Sequence, residues 1–402
     1  MAGFPSLTPR GNYSPRKMPS LTTCACLGLS VYLSLLCGSL AQEYALEVLV
    51  VLDGPSQLRW SAKAQAAGNT VQEEAPSVMF EVNKLFRRMA NQGADISVRL
   101  VDNAIFYTRE HILSGKDLHK KDGETYVDPK KAQEVFKDWV KGKTFDIAIF
   151  IPGYAFLNDN LPGSATLDTV CEKGVSVINP TYDTAMLSSI AHELGHSLGL
   201  RNDGDGNNCK SNDGYIMASK QIPSHENYMT WSKCSVDLLK KKLPTKKCLA
   251  PADNTEEITA ARFGHIVNVD EICMRAGSKY ISRFAYKNGD YSNLCRVIAC
   301  ETSLKIETER KKFLIIPYGK NTKFEATYTN IRPLPGMHCG WGKTCNKGLC
   351  VKDDTVKQTW NAQCPFGDSP YLEGDIKTCR EVKDKDKCKE DDYRSICCQS
   401  CA

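Results

Sequence analysis

Histidine is scarce in this 402-residue chain, with seven in all. After the first 41 residues no run is long and apolar enough to span a bilayer, which excludes a multi-pass membrane protein. No Asn-x-Ser/Thr acceptor follows the one at Asn12, and there is no internal repeat or low-complexity tract. Excess charge is lacking too: 52 Lys and Arg against 47 Asp and Glu give a formal +5, too little at this size to argue for a nucleic-acid partner. A hydrophobic content of 42% excludes a disordered chain. Two local basic runs remain, "LLKKKLPTKK" (238–247) and "ERKKF" (309–313), readable as an anionic exosite or as a solvated face.

Cysteine, in contrast, is plentiful. Arg16 and Lys17 precede the apolar run "CACLGLSVYLSLLCGSLA", with small residues Ser39 and Ala41 at the positions that a signal peptidase inspects. The pattern predicts a signal peptide over 1–41, started at Met1 or Met18, and a secreted protein with no membrane partner after cleavage. A type II anchor is the alternative. Cys24, Cys26 and Cys37 would leave with the signal, and 16 of the 19 cysteines remain, an even number suited to disulfides in an oxidising compartment. Four (Cys171, Cys209, Cys234, Cys248) precede residue 250, six lie between 251 and 350, and six follow. Separately cross-linked units are therefore expected over 42–250, 251–352 and 353–402.

The first of these units alternates strand and helix. "YALEVLVVLD" reads as a buried strand, followed by a helix with apolar Val78, Val82, Leu85 and Met89. "ISVRLVDNAIFY" reads as a second strand, "DPKKAQEVFKDWVKG" as a helix capped by Asp128 with Pro129 at its first position, and "FDIAIFIPG" as a third strand. "SATLDTVC" and "GVSVINP" add two extended pieces. This order predicts an α/β fold with a mixed, mostly parallel sheet. After residue 250 cysteine, Gly and Pro punctuate shorter pieces, the mark of a small disulfide-rich accessory region.

"DTAMLSSIAHELGHSLG" has the pattern of a helix that Asp183 can cap, with Leu187, Ile190, Ala191, Leu194 and Leu198 as its buried stripe. His192 and His196, four apart, lie on one face, where two imidazoles can share one metal ion, zinc by preference. Glu193 is placed to take a proton from metal-bound water and pass it to a leaving amine. Gly199 can end the helix with φ > 0 and turn the chain back, and "GYIMAS" places Met217 in a short apolar turn downstream. A core helix with incidental histidines is the plainer alternative.

His192-Glu193-x-x-His196-x-x-Gly199 with the turn at Met217 resembles the metzincin metallopeptidases, and within them the reprolysin (adamalysin) group, especially secreted salivary metalloproteases of ticks. The resemblance covers roughly residues 44–248. It implies a metzincin-type sheet with an active-site helix, endopeptidase activity on extracellular proteins such as matrix or clotting components, and zinc as cofactor. It also implies Met217 as the floor of the site, the pairs Cys171–Cys248 and Cys209–Cys234, and an edge strand near Ala165 to Val170 for an extended substrate. "DEICMRAG", "LCRVIAC" and "MHCGWGKTCNKGLCV" are similar to the cysteine-rich module of ADAMTS-type proteases, with six cysteines where that module has eight. The resemblance implies matrix or host-protein binding there. The terminal "CCQSC" resembles small extracellular disulfide modules.

Two departures stand out. The third ligand of the family falls at Asn202, a weak neutral donor, with Asp203 beside it as a substitute ligand or a mere turn residue. No pro-segment separates Ala41 from the first strand. A secreted zinc endopeptidase is the leading reading, and a catalytically impaired relative acting as a secreted binding protein is the other.

Overall fold

The computed structural model describes residues 43–66, 68–158, 161–222, 225–249, 256–278, 280–281, 292–307, 323–331, 333–334, 336–346 and 348–355. Beyond these it describes 364, 366, 368, 376, 378–390, 393–394 and 397–402. The expected signal peptide and the basic run at 309–313 lie outside the described residues.

The chain begins in β1 (Tyr44–Leu52), and α1 (Gly54–Ala66), α2 (Val71–Arg87), β2 (Ile96–Leu100) and β3 (Phe106–Tyr107) follow. A hairpin, β4 (Leu118–Lys121) and β5 (Glu124–Val127), leads to α3 (Pro129–Trp139), β6 (Ile147–Phe150), β7 (Gly163–Ala165), β8 (Gly174–Ile178) and α4 (Thr184–Ser197). The sheet runs β2-β1-β6-β8-β7, with β3 also paired to β1. All its pairings are parallel except β7 with β8, so the sheet is mixed and mostly parallel, as the strand–helix alternation predicts.

Strand periodicity explains why this sheet is buried on both faces. Leu46, Val48, Val50 and Leu52 of β1 join the core beneath α2 and α4, whereas Leu49 and Val51 point the other way into the core under α3. Caps fix where the helices start. Thr70 and Glu73 form a reciprocal capping box on α2, Asp128 accepts from the Lys131 amide on α3, and Asp183 accepts from the Ala185 amide on α4.

Two sequence expectations need correction, and two elements were not read from the sequence. Helix α1 was not read from the sequence; Asp53 accepts from the Ser56 amide and hydroxyl at its start, and Trp60 and Ala64 are buried. The expected strand at 96–107 is broken by Asp102 and Asn103, both at positive φ. The β4–β5 hairpin went unforeseen because its exposed Lys120 and Lys121 leave no apolar alternation. The edge strand is Gly163–Ala165, since Asp168, Cys171 and Lys173 take positive φ and turn the chain where extension to Val170 was expected.

After residue 250 come α5's successors: α5 itself is Lys233–Lys242, and α6 (Phe263–Ile266) and α7 (Val269–Arg275) lie beyond it. Then follow β9 (Tyr280–Ile281), β10 (Ile298–Glu307), β11 (Lys323–Ile331), the meander β12 (His338–Gly340), β13 (Lys343–Asn346) and β14 (Leu349–Lys352), and α8 (Cys379–Asp384). All eight disulfides stay inside the three expected segments: 171–248 and 209–234; 273–300, 295–345 and 339–350; 364–398, 379–397 and 388–401. The apolar core is less divided than the cysteines. Phe263, Ile272, Ile298 and Met337 fall in the same buried cluster as the α2 and α4 side chains.

A buried ion pair holds this junction. Arg275 donates from Nη1 and Nη2 to the two carboxylate oxygens of Glu74, each at 2.8 Å, and from Nε to Glu271 at 3.0 Å. It also donates to the Lys63 and Tyr182 carbonyls, while Trp60 and Asn69 donate to Glu74. Both charged side chains are at most 1% exposed. A pair this dry is held by satisfying every donor, and removing one partner strands the other. Arg275→Ala is therefore expected to lower unfolding free energy by about 3–5 kcal/mol; chemical denaturation with a change below about 1 kcal/mol would contradict the arrangement.

Candidate active site

Helix α4 is buried along nearly its whole length, including His192 and Glu193 at 4% and 3% exposure. Its end is fixed by a glycine. Gly199 sits at φ +91°, its amide donates to the His196 carbonyl at 2.8 Å, and the Leu200 amide donates to the Gly195 carbonyl at 2.8 Å. These two bonds reverse the chain in a left-handed cap that a side chain at 199 would strain. The reversal brings the Leu200 carbonyl to Nδ1 of His196 at 2.8 Å, and the Ile216 carbonyl meets Nδ1 of His192 at 2.7 Å.

A carbonyl only accepts, so each Nδ1 carries the proton and each Nε2 keeps its lone pair, the tautomer of a metal ligand. The two rings stand 4.6 Å apart at 89°. Burial, with His196 nearby, pulls His192 down to about 4, and burial also lowers His196; both imidazoles are held in the neutral form that binds metal.

The loop after Gly199 carries the other two candidates. Asp203 is 3% exposed; its carboxylate accepts the Ser232 hydroxyl at 2.6 Å, and its amide donates to the Met217 carbonyl at 2.8 Å. Asp203 thus ties the loop to the N-cap of α5 and to the turn at Met217. Asn202 has a buried Oδ1 with no hydrogen-bond partner, and so does the second carboxylate oxygen of Asp203, Oδ2. A buried acceptor left unpaired is costly, and two neutral imidazoles with a free amide oxygen nearby in sequence form a donor set that fits a zinc ion.

Close packing fixes the site's walls. Met217 is fully buried, and a Cβ on Gly195 would lie 2.7 Å from its sulfur, so the thioether reaches α4 only because residue 195 has no side chain. A Cβ on Gly163 of β7 would lie 2.5 Å from Cγ of Glu193. The edge strand and the Glu193 carboxyl are therefore in contact. Burial pushes Glu193 up to about 8. Cys171–Cys248 and Cys209–Cys234 are bonded, the second beside the Asn202 loop and the first joining the turn before β8 to the chain after α5. In the basic run at 238–247, Lys242 and Lys246 are spent on Asp168, at 2.7 and 3.0 Å. Gly163, Gly195 and Ser232 were not foreseen. A glycine inside α4, where it costs about 1 kcal/mol, is the one sequence signal that pointed to such a close approach.

The site is thus a His-Glu-x-x-His helix packed against the edge strand of a mostly parallel sheet. Residues 59–252, a little under half of the chain, match the family model of the reprolysin (M12B) zinc metalloproteases. Three human relatives of the family "A disintegrin and metalloproteinase with thrombospondin motifs" are similar in sequence. Number 18 is 28% identical over 225 residues, 52% of this chain and 16% of that protein. Number 16 is 33% identical over 207 residues, 49% of this chain and 15% of that one. Number 3 is 26% identical over 336 residues, 81% of this chain and 26% of that one. The chain thus spans roughly a sixth to a quarter of the length of these relatives. A solved structure, metalloproteinase-II from Bacteroides fragilis, is similar at a TM-score of 0.32 and 14% identity over 50% of this chain and 54% of that one, too slight a likeness to bear on the site. Zinc is the metal expected of the reprolysin family.

Glu193 gives the metal-free protein a distinctive pH profile. Its proton is kept to about pH 8 in the folded chain but is lost near 4.5 when unfolded, so the stability present below 4.5 is lost as pH rises toward 8. His192 has the opposite sign, neutral to about pH 4 when folded but protonated below 6.5 when unfolded, so it costs stability as pH falls from 6.5. From pH 6.5 to 8 the Glu193 effect stands apart from that of His192 and amounts to about 2 kcal/mol. Urea denaturation in a chelator is expected to show that decline for wild type and a flatter profile for Glu193→Gln; identical slopes would contradict a buried, neutral carboxyl.

Proposed function

We propose that the chain is a secreted zinc metalloendopeptidase that hydrolyses peptide bonds in extracellular proteins. Matrix or clotting proteins are the substrate class, and saliva the place of secretion, that the resemblance to tick salivary enzymes implies. In this reading residues 1–41 are the signal peptide, 42–250 the catalytic domain, 251–352 an ADAMTS-like cysteine-rich module that binds matrix or host proteins, and 353–402 a small disulfide module.

The contact between Glu193 and β7 carries the reading. An extended peptide that pairs with the outer edge of β7 by main-chain hydrogen bonds would lie beside the Glu193 carboxyl. His192 and His196 offer Nε2 to the metal, with Asn202 Oδ1 as the third donor and Asp203 kept for the loop. Zinc bound there would polarise the scissile carbonyl and make a water acidic enough to attack at neutral pH. Glu193, as carboxylate, would accept a proton from the attacking water and pass it to the leaving amine. The buried wall around it keeps the proton from bulk solvent, and Met217 floors the site.

Cleavage of a denatured protein tests this. Wild type with zinc is expected to cut, Glu193→Ala to lose at least about a hundredfold in rate, and Asn202→His to keep cutting while binding zinc about 10–100-fold more tightly. Gly163→Ala, which must displace Glu193, is expected to cost about a hundredfold in kcat with zinc content unchanged. A folded wild type that binds no zinc and cuts nothing would contradict the proposal and leave a secreted binding protein.

A further inference from the structure

The edge strand β7 is brief for a surface on which a peptide is to pair. It has three residues, β8 is its one neighbour among the described residues, and the chain turns soon after it at Asp168, φ 64°. A ladder this short holds weakly, so the strand's position depends on what packs against its two faces. Gly163 lies opposite Ile178, and Ser164 opposite Val177. Ile178 belongs to the core beneath α4 and Val177 to the core under α3, so alternation puts Gly163 on the side of Glu193 and Ser164 on the side of α3.

On the α3 side one side chain meets the strand with both ends of its amide. Gln133 follows buried Ala132 and lies one turn before buried Phe136. Ser164 Oγ donates to Gln133 Oε1 at 3.0 Å. Gln133 Nε2 donates to Thr166 Oγ1 at 3.2 Å and to the Val175 carbonyl of β8 at 2.8 Å. The last pair of the β7–β8 ladder is Ala165 with Ser176, so the next step of the register sets Thr166 opposite Val175. The Gln133 amide therefore bridges the two strands at the point where their own pairing stops.

We infer that Gln133 is a positioning residue for substrate: through Ser164 and Thr166 it fixes β7 as the template on which an extended peptide pairs. The inference rests on the reading that substrate adds to the outer edge of β7. Gln133 acts from the face of the sheet opposite Glu193, so its effect falls on how well the peptide is held and not on the proton transfers. Without the amide the template must be ordered when the peptide binds, a cost that appears in KM. The occupant is recognised by its main chain, so the effect belongs to any peptide long enough to run along β7.

The test uses the full zinc-loaded chain and Gln133→Met, which keeps the length of the side chain and loses its amide. For a peptide that runs along β7, KM is expected to rise about three- to tenfold while kcat stays within about twofold. For a short blocked peptide that spans only the scissile bond, both constants should match wild type. The double variant Gln133→Met/Ser164→Ala should raise KM no further than Gln133→Met, since the two side chains act through one bond. An unchanged KM for the long peptide, or an equal fall in kcat for both peptides, would overturn the inference. Should wild type cut nothing, the catalytic reading fails by itself, and the dissociation constant of the long peptide replaces KM: the same rise is expected, and equal binding, or no binding to wild type, would overturn the inference. Should Gln133→Met fail to fold, Ser164→Ala decides, with an expected rise in KM of about two- to fivefold and an unchanged KM as the contrary result.

Discussion

The left-handed turn at Gly199 is the constraint on which the site depends. It ends a helix that is buried on almost every side, so the chain cannot simply drift away from α4. The same turn aims the Leu200 carbonyl at His196 and starts the loop that carries Asn202 and Asp203. Asp203 then closes the circuit through Met217 and Ser232. One backbone conformation thereby sets a histidine tautomer and the course of the loop through Asn202 and Asp203 to Met217. A β-carbon at 199 would also approach Asp168 Oδ1 to 2.6 Å, so strain and steric conflict act together.

Stability and chemistry are separated in this molecule. Two-sided burial of the sheet, the eight disulfides and the Glu74–Arg275 pair support a scaffold in which three uncompensated features persist around α4: a buried neutral carboxyl, two buried neutral imidazoles and an amide oxygen without a partner. Each of these costs folding energy in the metal-free chain. Such costs are the usual mark of a functional site, and a cation bound by the imidazoles and the amide would relieve part of them.

Local signals made α4 legible in the sequence: the Asp183 cap, the apolar stripe, the i and i+4 histidines and the terminating glycine all act within one helix. Long-range contacts were not legible. Arg275 and Glu74 are 201 residues apart, and nothing near either announces the other. Helix α1 was not read, and the edge strand was placed too late because the positive φ values at Asp168, Cys171 and Lys173 leave no trace in an apolar pattern. Asn202 and Asp203 looked like competing ligands in sequence. Their surroundings differ in part: Asp203 Oδ1 accepts the Ser232 hydroxyl, while Asp203 Oδ2 and Asn202 Oδ1 are both buried without a hydrogen-bond partner.

The central claim is that His192, His196 and Asn202 hold zinc beside Glu193. Anomalous diffraction at the zinc edge from crystals of the zinc-loaded chain tests it most directly. The account predicts a peak about 2.0–2.2 Å from Nε2 of both histidines and from Asn202 Oδ1, with Asp203 still bonded to Ser232. No peak at α4, or one ligated by Asp203 in place of Asn202, would contradict it.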